Sequence, residues 1–245
     1  MSRFYVPKEY INSGEINIRG KEAHHILGVM RLKEGDEVRV FDGTGCEYVG
    51  FIKEANEKGK RVTIEVIRTE RPSETRRPEI VLAQAVPKKK KMEYIVEKAT
   101  ELGVSKIIPL ISERTIVRPR DKKDRDAMTA RWKRISLEAS KQCGRKDVPE
   151  IEDMTLLIEL MGKMEEYDLV LMACLTEERI SLKEALRDAF KGKILILIGP
   201  EGDFSPEEAR MVHKDNCKLI SLGERVLKSD TAGLFVLSAI SYELE

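Results

Sequence analysis

The chain has 245 residues, 41% apolar and only 5% aromatic, enough to bury a sizeable core in one large or two modest domains. Charged residues make up 36% but nearly cancel to a net +1, so a nucleic acid must be met by a local basic patch and not by a global field. No apolar run approaches the roughly 18 residues of a membrane helix, MSRFYVPKEY lacks the apolar core of a signal peptide, and four scattered cysteines and three histidines show no metal-ligand spacing. The expectation is a cytoplasmic globular protein with reduced thiols, no membrane segment and no metal.

Up to about Thr69 the pattern is strand-like: FYV, INI, EVRVFDG, CEYVGFIKEA and RVTIEVIRT, with a turn signal at Asp42 to Gly45. This predicts a small β-barrel or curled sheet over residues 1–69, interrupted by one helical segment, KEAHHILGVMRL. The adjacent His24 and His25 diverge on a helix, which favours a surface or RNA-facing role over a metal site. ERPSETRRPE holds three arginines, two prolines and no apolar residue, and marks a linker over 70–78.

From Glu79 to the end the rhythm is strand then helix. EIVLAQAV, KIIPLIS, DLVLMAC, KILILIG and KLISLG read as strands covered on both faces. MEYIVEKATELG, RDAMTARWKRISLEASKQC, TLLIELMGKM, SLKEALRDAF and SPEEARMVHK read as the intervening helices, and LFVLSAISYELE as a last helix apolar nearly all round. An α/β domain with a mostly parallel, doubly wound sheet is predicted for 79–245, with ligands outside the carboxyl ends of the strands.

Three strand ends carry the chemistry. After Ile198, Gly199-Pro200-Glu201-Gly202-Asp203 runs into Ser205-Pro206-Glu207-Glu208, a helix start with Ser as N-cap, Pro at the first position and a capping-box Glu. No Walker lysine follows and no GxGxxG is present, and Glu201 and Asp203 repel an anion, so the turn suits a neutral or cationic ligand. A purely structural turn is the competing reading. The polar run from Glu224 to Gly233 and the segment Cys174 to Glu178 complete a cluster of three loops. A run of four lysines, Lys88 to Lys91, stands at a helix start, where cations oppose the helix dipole and a phosphate would neutralise them; a solvated face is the alternative.

GPEG after a strand, LGERVLKSDTA before the last helix, EKATELGV at Glu97 to Val104, LEASKQCGR at Leu137 to Arg145, and His25 to Arg31 with GDEVRVFDGTG resemble the bacterial RsmE family in order along the whole chain. That resemblance implies 16S ribosomal RNA uracil-N3 methyltransferases of the SPOUT superfamily. The implied architecture is a C-terminal domain with a parallel sheet and a deep trefoil knot, preceded by a PUA-like RNA-binding β-barrel. It further implies S-adenosylmethionine as cofactor, a homodimer, and 16S ribosomal RNA in the small ribosomal subunit as partner.

By position, the resemblance assigns cofactor contacts to Leu175, Gly199, Pro200, Glu201, Gly202, Leu222, Gly223, Val226, Leu227 and Ala232. Methylating N3 requires loss of its proton and stabilisation of negative charge on the flanking carbonyl oxygens. Arg145, Arg225 and Lys228 are the candidate cations and Asp230 the base or orienter; Arg31 and Lys88, Lys89, Lys90 and Lys91 are the candidate RNA contacts. Lys228 stands where the family usually has Arg, Asp230 where it has Glu, and GPEGD where it has GPEGG, so reach and bidentate geometry differ. The competing functions are a non-catalytic RNA-binding ribosome-assembly factor and an enzyme acting on a small nucleotide.

Overall fold

The computed structural model describes residues 2–12, 14–72, 78–187, 192–212 and 216–243. Most of the expected linker, residues 73–77, lies outside them, as do residues 188–190 and 213–215 at the ends of two expected helices. The chain divides into two compact units, Met1–Glu74 with Ser140–Val148, and Thr75–Ala139 with Pro149–Glu245.

In the first unit, β1 (Ser2–Tyr5), β2 (Ile11–Asn12), β3 (Glu15–Arg19), β4 (Glu37–Phe41), β5 (Glu47–Asn56) and β6 (Arg61–Glu70) pair in the order β1-β4-β5-β6-β3-β2. Alternation is clean in β3, where Ile16 and Ile18 face inward to join Phe4, Val38, Val40, Val62 and Ile64. Among the described residues the pairing path is open: β1 and β2 end it, so the expected barrel is not closed by a hydrogen-bonded ladder. The reason is local, since β2 has two residues, and Ala23 of α1 (Gly20–His24) and Ile26 of the following π-helical turn cover the core instead.

The segment 140–148 belongs to this unit through specific bonds. Lys146 Nζ pairs with Glu70 at 2.6 Å, Lys141 Nζ with Glu22 at 3.2 Å, and Val148 N–H donates to the Gly43 carbonyl at 3.0 Å. Arg3 donates to Glu47, which is 2% exposed, and to the Arg145 carbonyl.

The second unit contains β7 (Glu79–Ala85), β8 (Lys106–Ile111), β9 (Glu150–Ile151), β10 (Thr155–Leu156), β11 (Leu169–Ala173), β12 (Ile180–Ser181), β13 (Lys193–Ile198) and β14 (Cys217–Ser221). Their order is β10-β8-β7-β13-β11-β14-β12, with β9 beside β8, and every pairing is parallel. Period-two geometry splits β13 between two cores: Ile194, Ile196 and Ile198 face one, Leu195 and Leu197 the other. The first core takes Ile95 and Val96 of α2 (Lys91–Glu101), Trp132 of α3 (Lys122–Cys143), and Val236, Leu237 and Ile240 of α7 (Ser229–Glu243). The second takes Leu157 and Leu160 of α4 (Leu157–Met161) and Ala209 and Val212 of α6 (Pro206–Val212).

Two expected helices are shorter than the sequence pattern predicts. TLLIELMGKM forms β10, the five residues of α4 and a 3-10 turn, and SLKEALRDAF begins in β12 and gives only α5 (Leu182–Ala185) before the described residues end at Arg187. In each case a residue pair is held extended by a neighbouring strand, Thr155–Leu156 on β8 and Ile180–Ser181 on β14, and Gly162 ends α4. Among the described residues no helix is long and apolar enough to cross a membrane and no group of three or more His, Cys, Asp or Glu could hold a metal. The four cysteines are free.

Candidate active site

Because the sheet is parallel, the loops after β11, β13 and β14 leave from one edge, where they enclose a cavity of about 550 Å³. All ten residues expected from the sequence to meet a cofactor line it: Leu175 from the first loop, Gly199 to Gly202 from the second, Leu222, Gly223, Val226 and Leu227 from the third, and Ala232 on α7. Arg225 and Lys228 also line it; both are exposed, and neither side chain has a hydrogen-bond or ion-pair partner among the described residues.

The Gly199–Asp203 loop is fixed from four sides. The buried Ser229 hydroxyl donates to the Gly199 carbonyl at 2.6 Å and accepts from Gln84 Nε2 at 2.9 Å. Lys88 N–H donates to Glu201 Oε1 at 3.0 Å, and Arg114 Nη1 to the Gly202 carbonyl at 2.8 Å. Asp203, in the left-handed region at φ 59°, accepts the Leu175 N–H on Oδ2 at 2.8 Å and so ties this loop to the one after β11. The helix beyond starts as expected: Ser205 Oγ accepts from Glu208 N–H at 3.3 Å, and the Glu208 carboxylate accepts from Ser205 N–H at 2.9 Å.

Asp230 does not line the cavity; its Oδ1 lies 2.8 Å from Nζ of Lys91, which does. The Lys91 hydrogen bond holds the Asp230 carboxyl below the usual carboxylate range. Lys88, Lys89 and Lys90 form the exposed turn before α2, with Lys89 and Lys90 both left-handed at φ 58° and 53°. Arg31, exposed and left-handed at φ 55°, and Arg145, paired with Asp147, belong to the first unit and are not part of this cavity wall.

Sequence reasoning missed Arg179 in the wall and Gln84 behind it, whereas Asp203 and Glu224, expected in the ligand turn and the polar run, do line it. Gln84 did leave a signal: it is the one side-chain amide in an otherwise apolar β7 interior, 0% exposed, with Oε1 lacking a partner. The wall therefore combines carboxylates (Glu201, Asp203, Glu224), cations (Lys91, Arg179, Arg225, Lys228) and apolar side chains, with Leu175 54% and Val226 73% exposed. Such a surface fits a ligand bearing charges of both signs and an apolar body.

The chain matches the RNA methyltransferase domain family over residues 74–241 and the RNA methyltransferase PUA domain family over residues 18–65. It is 31% identical to the ribosomal RNA small subunit methyltransferase E of Bacillus subtilis, covering 100% of this chain and 98% of that protein. It is 26% identical to the protein of the same name from Synechocystis, covering 99% and 78%. The crystal structure of a ribosomal RNA small subunit methyltransferase E from Neisseria gonorrhoeae bound to S-adenosyl methionine superimposes with a TM-score of 0.82 at 27% identity, covering 99% of this chain and 97% of that one. A parallel sheet with three loops around one cavity, and likeness along the full length, place this chain in the ribosomal RNA small subunit methyltransferase E family.

Proposed function

We propose that this chain, an S-adenosylmethionine-dependent ribosomal RNA methyltransferase, methylates N3 of one uridine in 16S ribosomal RNA, acting in the cytoplasm on the assembled small subunit. The observation that carries the reading is the cavity wall, in which the three loops bring backbone groups, apolar side chains and both charge signs to one place. S-adenosylmethionine, when bound, supplies a methyl group already activated by its sulfonium.

The chain's own residues do the rest. Leu175, Val226, Leu227 and Ala232 would give apolar walls, and the Gly199–Gly202 and Leu222–Gly223 backbones the hydrogen-bonding rim, with Glu201 on the cationic side of the ligand. Arg225 and Lys228 at the mouth supply positive charge for the uracil carbonyl oxygens, and Asp230, behind the wall on Lys91, is the base or orienter. Arg145, expected from the sequence as a candidate cation, is the fourth proposed catalytic residue. Arg31 and Lys88 to Lys91 are the proposed RNA contacts; Lys88, Lys89 and Lys90 lie together in the exposed turn before α2.

The same reading takes residues 1–69 as the PUA-like RNA-binding domain, 70–78 as linker and 79–245 as the SPOUT domain with its trefoil knot. The path after β14 supports the knot: α7 packs on α2, β7 and β13, although β14 lies beyond β11. A homodimer is part of the reading, with exposed Tyr94 on α2 and Phe235 and Tyr242 on α7 offering the face. The test compares methyl transfer to free 16S RNA and to unmodified assembled small subunits. Transfer to the assembled particle at one uridine supports the reading, and equal or greater transfer to free RNA removes the requirement for assembly.

A further inference from the structure

Lys91 and Asp230 join α2 to α7 at the edge of the cavity, with Nζ 2.8 Å from Oδ1, and only Lys91 reaches the cavity wall. The backbone before Lys91 is built, not loose. Lys88 N–H is tied to Glu201 Oε1 at 3.0 Å, Glu93 N–H to the Lys90 carbonyl at 3.1 Å, and Lys89 and Lys90 both hold left-handed conformations. Such a conformation is unfavourable for a non-glycine residue, so the surrounding bonds must select it. The same turn therefore fixes a cofactor-loop carboxylate at one end and an ammonium at the other.

Asp230 lies in the first turn of α7, where the helix end favours a carboxylate. A carboxylate committed to an ammonium and set behind the wall is poorly placed to take a proton from a substrate in the cavity. An ammonium in the wall, held by that carboxylate and facing the same space as Arg225 and Lys228, is a placed positive charge.

We propose that Lys91 is the catalytic cation that meets the uracil ring as N3 loses its proton, and that Asp230 is a positioning residue acting through Lys91; this rests on the methyl transfer proposed above. In that step the N3–H bond breaks and the proton passes to solvent water. The N3 electron pair forms the new bond to the methyl carbon, and the carbon–sulfur bond breaks with its pair left on sulfur. Negative charge developing on the flanking carbonyl oxygens is stabilised by the Lys91 ammonium. Lys91 thereby leaves the set of RNA-affinity contacts proposed above and acts on the reacting base, whereas Lys88 to Lys90 remain exposed cations of the turn.

The test uses full-length protein, single-turnover transfer to unmodified small subunits, and separate equilibrium titrations with S-adenosylmethionine and with RNA. Lys91→Met is expected to slow transfer by about 100-fold, as loss of one charge-stabilising donor does, with both equilibrium affinities changed by less than about threefold. Asp230→Asn is expected to slow it by roughly tenfold, and the double variant to be no slower than Lys91→Met alone. Lys91→Arg should keep most of the rate, which separates lost charge from lost fold. The proposal is overturned if Asp230→Asn slows the Lys91→Met background by its full factor, or if Lys91→Met weakens RNA binding while leaving the transfer rate intact. Absence of N3-methyluridine with the unsubstituted protein overturns the reaction reading itself, and this proposal with it.

Discussion

Ser229 Oγ donates to the Gly199 carbonyl at 2.6 Å while accepting from Gln84 Nε2 at 2.9 Å, so a side chain at the start of α7 anchors the first residue of the loop after β13. The Gln84 amide also donates to the Ala85 carbonyl at 3.1 Å, which fixes which end of the amide faces Ser229. Removing the hydroxyl leaves a buried carbonyl and a buried N–H unpaired. Ser229→Ala should cost about 1–3 kcal/mol of stability and weaken S-adenosylmethionine binding, read by urea unfolding and titration calorimetry. An unchanged unfolding midpoint would mean that another group satisfies Gly199.

Asp203 gives a second, separable prediction. It spends a left-handed conformation to hold the Leu175 N–H. Asp203→Gly loses the bond and relieves the backbone, whereas Asp203→Ala loses the bond and keeps the strain. The alanine variant should be the less stable of the two by roughly 1 kcal/mol, measured by denaturant midpoints, and both should bind S-adenosylmethionine less tightly.

The Lys91–Asp230 pair has a pH signature. Hydrogen bonding to Lys91 lowers the Asp230 pKa from its ordinary 3.8, so the unfolded chain takes up the proton first as pH falls. The pair's stabilisation is therefore complete above pH 3.8 and is lost as pH drops through the lower folded value. Asp230→Asn should be less stable than the unsubstituted chain near neutrality and converge with it in strong acid, as followed by circular dichroism. A constant difference at all pH values would contradict the ion pair.

Cysteine reactivity should follow burial. Burial pushes the Cys217 thiol up to about 12, while Cys143 is exposed. At pH 8 an alkylating reagent should modify Cys143 and spare Cys217 until the chain unfolds, read by peptide mass spectrometry. Early labelling of Cys217 would show that β14 opens in the native state.

Much of the fold was legible because burial leaves a periodic record. ILILI had to be a strand covered on both faces, and Ser205 with Glu208 had to start a helix. The three site loops are legible where strand ends meet glycine and charge; the ten cofactor positions come from the family resemblance, and all ten line one cavity. Long-range bonds left no local trace: neither the Arg114 bond to Gly202 nor the allegiance of residues 140–148 to the first unit follows from spacing. In the sequence Lys91 is simply one of a run of lysines, because its partner, Asp230, lies 139 positions away. α4 and α5 are shorter than their apolar patterns predict because a helical pattern cannot register that its first residues are pinned to a strand edge.

The most direct test of the account incubates the full-length protein with methyl-labelled S-adenosylmethionine and unmodified small ribosomal subunits, and follows the label by nucleoside mass spectrometry. The account predicts labelled N3-methyluridine at a single site in 16S RNA. Label at another atom or base would contradict the N3 assignment, and RNA binding by a folded protein without any transfer would leave a ribosome-assembly factor in place of an enzyme.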